Sequence, residues 1–236
     1  MPSSHLHYLP ASALLYLLLG GLLIGLLLLL QIGLIDRAYR SLGLDPRAAT
    51  LVLLASLLGG YLNIPIARLP EAPRVVANAY FDVFGVPYLV PQVVDWPGTI
   101  VAINVGGAAI PIALSIYLVS RYRLLALGAI AVAIVAAVVH HLATPIPGVG
   151  IVVPWFWPPI LAALVALMLS RRYAAPLAYV GGSLGVLIGA DLMNLGQLQS
   201  LGAPVASIGG AGTFDSVFLT GVVAVLLSGL VGRRAA

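Results

Sequence analysis

Residues 121–142 read RYRLLALGAIAVAIVAAVVHHL. Two arginines open the stretch, an unbroken apolar run follows, and two histidines close it. A helical span needs about 20 apolar residues to cross a hydrocarbon core. The run therefore predicts a transmembrane helix over 124–142, with Arg121 and Arg123 at one membrane face and His140 near the other.

The rest of the chain repeats this design. It has 236 residues, 61% of them hydrophobic and only 8% charged. A soluble domain of this size carries roughly a quarter charged residues, so the polar surface needed to cover a water-soluble globule is missing. The composition predicts one integral membrane domain over 1–236. Apolar runs place about seven spans, at roughly 13–35, 48–66, 99–119, 124–142, 155–170, 174–194 and 213–231. The fold class is thus all-α, a polytopic transmembrane bundle. The first run is long and lacks a cleavage site, which predicts a retained helix rather than a signal peptide.

Charge orients the bundle. All eleven basic residues are arginines. Arg37, Arg40, Arg47, Arg121, Arg123, Arg171, Arg172, Arg233 and Arg234 fall in alternate connections, hence on one side. The positive-inside bias makes that side cytoplasmic, with the N-terminus outside, the C-terminus inside and the chain in the inner (plasma) membrane. The outer side has Arg68 and Arg74, in a segment at 67–98 broken by five prolines. That segment reads as an interfacial hairpin or lid. TPIPGVGIVVP, beginning at Thr144, is an uncharged outer connection.

Several function classes are excluded. The chain has no cysteine, so disulfides, thiolate metal sites and cysteine nucleophiles are absent. The net charge of +4 comes from scattered arginine pairs and forms no nucleic-acid footprint. The partners implied are the lipid bilayer and a small solute, an ion or a membrane peptide. No cofactor and no oligomeric state can be read from the sequence.

Polar residues converge at one depth. Counting from the inner arginines, Asn63, Asn104, His140, Asp191 and Asp215 each lie 16 to 19 residues along their spans, about 24–28 Å at helical rise. Ionisable groups at membrane depth usually face a protein interior or a watery cavity. The backbone is disturbed nearby. Pro111 cannot donate to Gly107, and Gly106 and Gly107 loosen the turn before it, which predicts a broken or kinked third span. In span six, Gly181, Gly185 and Gly189 form a small-residue ridge for close helix approach. Asp191 lies off that ridge and shares a face with Asn194. Gly209, Gly210 and Gly212 form a tight turn that delivers Asp215 to the start of span seven, where a carboxylate also suits a helix cap. His140 is a candidate metal ligand, although the adjacent His141 points elsewhere.

The segments NIPI at 63–66, NVGGAAIP at 104–111, PIPGVGI at 145–151, and LIGADLMNL with GAPVASIGGAGTFDSVFLTG resemble the domain of unknown function 1614 family of prokaryotic membrane proteins. The resemblance covers most of the chain after about residue 55. It implies a polytopic membrane protein and carries no activity. A looser chemical likeness is to the GxGD-type intramembrane aspartyl proteases. Phe214-Asp215 is similar to their Tyr-Asp pair, and Gly189-Ala190-Asp191 partly resembles their second motif. Ala190 and Ile188 replace its glycines, the motif order is reversed, and no Pro-Ala-Leu motif occurs.

Three activities fit these residues. A transporter or ion- or proton-binding protein would use Asn63, Asn104, Asp191, Asn194 and Asp215 at a polar site near the outer leaflet. An intramembrane hydrolase would use Asp191 and Asp215 as an acid–base pair on water. A non-catalytic assembly or lipid-binding factor would use neither.

Overall fold

The computed structural model describes residues 21–22, 24–25, 41–69, 72–83, 86–96, 98–146, 150–198, 205–210 and 216–232. Six α-helices are described over their full length: α1 (Pro46–Gly59), α2 (Ile110–Tyr122), α3 (Leu125–Leu142), α4 (Trp157–Leu169), α5 (Ala174–Val186) and α6 (Ser216–Gly232). Seven strands are described with them: β1 (Asn63–Arg68), β2 (Ala72–Val83), β3 (Val86–Trp96), β4 (Ile100–Asn104), β5 (Thr144–Ile146), β6 (Gly150–Val152) and β7 (Val205–Ile208).

Among the described residues, three helical stretches are long and apolar enough to cross a membrane: Val105–Tyr122, Leu125–Leu142 and Ala174–Gln197. Shorter apolar helices lie at Pro46–Gly59, Trp157–Leu169 and Leu219–Gly229. The described part of the chain is therefore mostly helical, and three of its helices have the length and composition of membrane spans. The span expected at 13–35 lies almost wholly outside the described residues.

Two expected spans are shorter than the apolar pattern implies. The helix expected over 48–66 starts at Pro46, where the Asp45 side chain accepts from Ala48 N at 2.6 Å, a regular N-cap. It stops at Gly59, and NIPI is strand rather than helix. Pro65 has no N–H to donate to a helix but is tolerated in an edge strand, and β1 is an edge. The span expected over 99–119 is strand as far as Asn104 and helix only from Val105.

A three-stranded sheet with order β1-β4-β7 results. β1 runs antiparallel to β4, with Asn63 opposite Asn104. β7 runs parallel to β4, from Ile100↔Val205 to Ile103↔Ile208. The segment expected as a hairpin at 67–98 is one: β2 and β3 pair antiparallel from Ala72↔Trp96 to Val83↔Val86. The connection after α3 forms a smaller hairpin, β5–β6.

Helix α5 is the centre of the bundle. Of its long apolar stretch 72% is buried, against 39% for the stretch containing α2 and 28% for α3. Its small residues make this packing fit. A Cβ on Gly181 would lie 3.1 Å from Ala131 Cβ, one on Gly185 would lie 2.6 Å from Val135 Cγ1, and one on Gly189 would strike the Ala136 backbone. The glycine ridge is thus the seam with α3, and the two helices run in the same direction. A neighbouring stripe of α5 carries Gly182, which faces Thr220 of α6 and Ala162 of α4.

At one end of the bundle three connections meet. The Tyr122 hydroxyl lies against Gly43. The Tyr122 ring sits 5.7 Å from the Tyr173 ring, and Arg172 lies 5.3 Å above Tyr173. These connections carry Arg47, Arg121, Arg123, Arg171 and Arg172. Helix α2 ends there with Arg123 in the left-handed region (φ 53°), while Leu124 N reaches back to Val119 O at 3.0 Å, as in a Schellman turn.

Candidate functional site

At the other end, three interrupted segments meet. The first is the β4–α2 junction. Asn104 is extended (φ −77°, ψ 129°), and its side-chain oxygen accepts from Gly107 N at 2.7 Å. That bond caps the helix. Its amide nitrogen donates to Gly60 O at 2.7 Å and to Asn63 Oδ1 at 3.1 Å. The residues Val105–Ala109 form a π-helical turn, and Pro111 lies in the first turn of α2. Pro111 has no N–H to return to the turn before it, and a π-turn inside a helix accommodates such an interrupted bond pattern. The wider turn absorbs the mismatch, so the expected kink is a change from strand through π-turn to helix.

Gly106 serves close approach rather than looseness. A Cβ there would strike Ser56 O and Gly60 N, so the junction sits directly on the end of α1.

The second interruption is in the span of α5. After Val186 the helix widens to a π-turn over Leu187–Asp191 and then tightens to a 3-10 helix over Leu192–Gln197. Asn194 repairs the break. It is 2% exposed, and its amide donates to Gly189 O at 3.0 Å and Ala190 O at 2.9 Å. Its own oxygen accepts from Gln197 Nε2 at 3.2 Å.

The third is the turn after β7. Gly210 N donates to Ser207 O at 3.1 Å, and Gly209 and Gly210 have φ of 84° and 78°. A positive φ at the third turn residue requires glycine. A Cβ on Gly209 would also meet Ala108 N at 2.6 Å. The glycines therefore make the turn and let it rest on the π-turn before α2.

Hydrogen bonds tie the three together. Asp191 Oδ2 accepts from Gly209 N at 2.7 Å. The Ser207 hydroxyl lies 2.5 Å from Asn63 Oδ1 and 2.6 Å from Gly210 O. Asn63 is exposed, whereas Asp191, Ser207 and Gly210 are half-buried. The node is therefore reachable from one side and closed on the other.

The family model for a protein of unknown function, DUF1614, matches residues 57–227. The chain belongs to that family. The matched region of this DUF1614 chain takes in the three-stranded sheet, both π-turns and the Gly209-Gly210 turn. No curated protein and no solved structure matches it.

The structure sorts the residues singled out from the sequence. Asn63, Asn104, Asp191, Gly209 and Gly210 are brought together. Asn104 and Asn194 are buried and spend their amides on backbone and neighbouring side chains, so both hold the site rather than offer free ligands. His140 is not joined to the node by any hydrogen bond. Its Nδ1 is buried without a partner, and its ring lies 5.9 Å from that of His141. Among the described residues no group of three or more His, Asp or Glu could hold a metal ion. Asp215 and Gly212 lie outside the described residues.

Ser207 is the residue that sequence reasoning missed. It directly precedes the motif's Ile-Gly-Gly. An oxygen-bearing side chain next to an obligatory glycine turn was the available signal, because such turns are often closed by a hydroxyl.

Proposed function

We propose that this DUF1614 chain is a seven-span plasma-membrane protein, N-terminus outside and C-terminus cytoplasmic, that binds a cation or proton at the outer-leaflet node and moves it. The observation that carries this reading is the Asp191–Gly209 hydrogen bond. It joins a broken span to a glycine turn at a sheet end, beside a strand-to-helix junction.

Irregular backbone at membrane depth is tolerated only where protein covers it or water lines it. Discontinuous helices meeting at polar residues are the usual construction of ion and substrate sites in secondary transporters. The one anionic side chain joined to the node by a described hydrogen bond is Asp191, so a positive charge is the natural cargo. The full chain in sealed vesicles, loaded to report imposed sodium and proton gradients, tests this reading. Flux that depends on Asp191 supports it; vesicles no leakier than protein-free ones refute it.

A second reading rests on the course of the chain. Gly209 touches Asp191 and stands six residues before Asp215 in the sequence. A carboxylate pair acting on water would suit peptide hydrolysis. Cleavage of a membrane peptide that disappears in Asp215→Asn would favour this reading over transport.

A further inference from the structure

The hydroxyl of Ser207 has one proton and two close acceptors. The orientation of the Asn104 amide is fixed. Its oxygen faces the Gly107 N–H, so its NH2 faces Gly60 O and the Asn63 side chain. A donor at 3.1 Å requires that Asn63 present its oxygen there, because its own NH2 would oppose another NH2. That same Asn63 oxygen lies 2.5 Å from Ser207 Oγ. The Gly210 carbonyl oxygen lies 2.6 Å from Ser207 Oγ on another side.

Both neighbours of the hydroxyl are acceptors only, and a hydroxyl donates one hydrogen bond. Whichever oxygen it serves, the other faces it with lone pairs and no proton between them. A cation removes that conflict. Amide, hydroxyl and main-chain carbonyl oxygens are hard ligands, and unwound backbone carbonyls coordinate sodium in broken-helix transporters. A set of neutral oxygens favours a monovalent ion over a divalent one, which takes carboxylates directly. Asp191 supplies negative charge one step behind, on the N–H of Gly209. The exposure of Asn63 leaves room for water to complete the coordination.

We propose that Asn63 Oδ1, Ser207 Oγ and the Gly210 carbonyl are three ligands of a sodium-class cation site. This names the ion for the function proposed above and rests on that reading for its purpose, not for its chemistry.

The test is binding of radioactive sodium to the purified full chain in detergent, with choline holding ionic strength constant and potassium as competitor. Saturable sodium binding is expected, with potassium weaker by about tenfold or more. Ser207→Ala, which leaves the Asn63–Asn104 pair in place, should weaken it by at least about tenfold, the usual scale for loss of a supporting group at a metal site. Asn63→Asp keeps an oxygen in position and adds charge, so it should retain sodium and gain calcium binding. That variant decides the matter should Ser207→Ala fail to fold. Absence of saturable sodium binding by the unaltered protein overturns the proposal, and so does binding unchanged in both variants. Asp191-dependent proton flux without sodium binding would overturn this site and leave the transport reading standing. Sodium binding without flux would do the reverse.

Discussion

Asp191 accepts a hydrogen bond from the backbone N–H of Gly209 at 2.7 Å, across 18 residues of chain. The bond pins the turn after β7 to the broken end of the α5 span. A partly buried carboxylate is costly unless something faces it, and here a main-chain donor does. That donor points the right way because Gly209 adopts a positive φ.

Gly209→Ala tests the turn. The substitution forces an L-residue into the left-handed region, about 1–2 kcal/mol, and places a methyl 2.6 Å from Ala108 N, about 1–3 kcal/mol more for overpacking. Unfolding in mixed micelles should show a loss of about 2–5 kcal/mol. Gly196→Ala, where a Cβ would meet nothing within 4 Å, should change stability by less than about 0.5 kcal/mol. Equal effects at the two positions would show that the turn is not packed as described.

Asn104 is fully buried and uses both ends of its amide. Asn104→Ala removes the helix cap and strands the Gly60 carbonyl, a loss of about 2–4 kcal/mol. Asn104→Asp keeps an oxygen for Gly107 but turns a second oxygen toward Gly60 O and Asn63 Oδ1. It should therefore fail to restore stability at neutral pH. Full rescue by aspartate would mean that the residue is a cap and nothing more.

The α3–α5 seam predicts a coupled pair. Gly185→Ala brings a methyl to 2.6 Å from Val135 Cγ1 and 2.7 Å from its Cβ, a cost of about 1–3 kcal/mol. Val135→Ala removes the first contact and leaves the second. In the double variant part of the loss should return as a favourable interaction energy of about 0.5 kcal/mol or more. Strict additivity would place the helices further apart.

The absence of cysteine makes membrane orientation directly measurable. Single cysteines at Arg121 and Val152, both exposed, lie at opposite ends of α3. An impermeant maleimide applied to intact cells should label position 152 at once, and position 121 only after permeabilisation. The opposite pattern would invert the proposed topology.

Much of the helical frame was legible because its signals are local. The run between Arg123 and His140 and the Gly181, Gly185, Gly189 spacing mark α3, α5 and their seam from composition and period alone. The sheet was not legible in the same way. β1, β4 and β7 are built from the same Ile, Val and Ala as the helices, and runs of four to six residues have no decisive period. Their pairing is also distant, with β7 meeting β4 about a hundred residues downstream. Pro65 and Pro111 were the local clues that helix could not extend through NIPI or through NVGGAAIP. Asn104 and Asn194 looked like ligands because a buried amide has the same sequence appearance whether it binds a solute or repairs its own backbone. Ser207 escaped notice because its role depends on a β-strand neighbour 144 residues away.

The measurement closest to the central claim is cation flux in sealed vesicles containing the full chain, compared with Asp191→Asn. Asparagine keeps the shape and can still accept from Gly209 N, so the fold is preserved while the charge is lost. The account predicts that the unaltered protein dissipates an imposed sodium or proton gradient, and that Asp191→Asn falls to the rate of protein-free vesicles while Gly196→Ala does not. Flux unchanged in Asp191→Asn, or none from the unaltered protein, would contradict it.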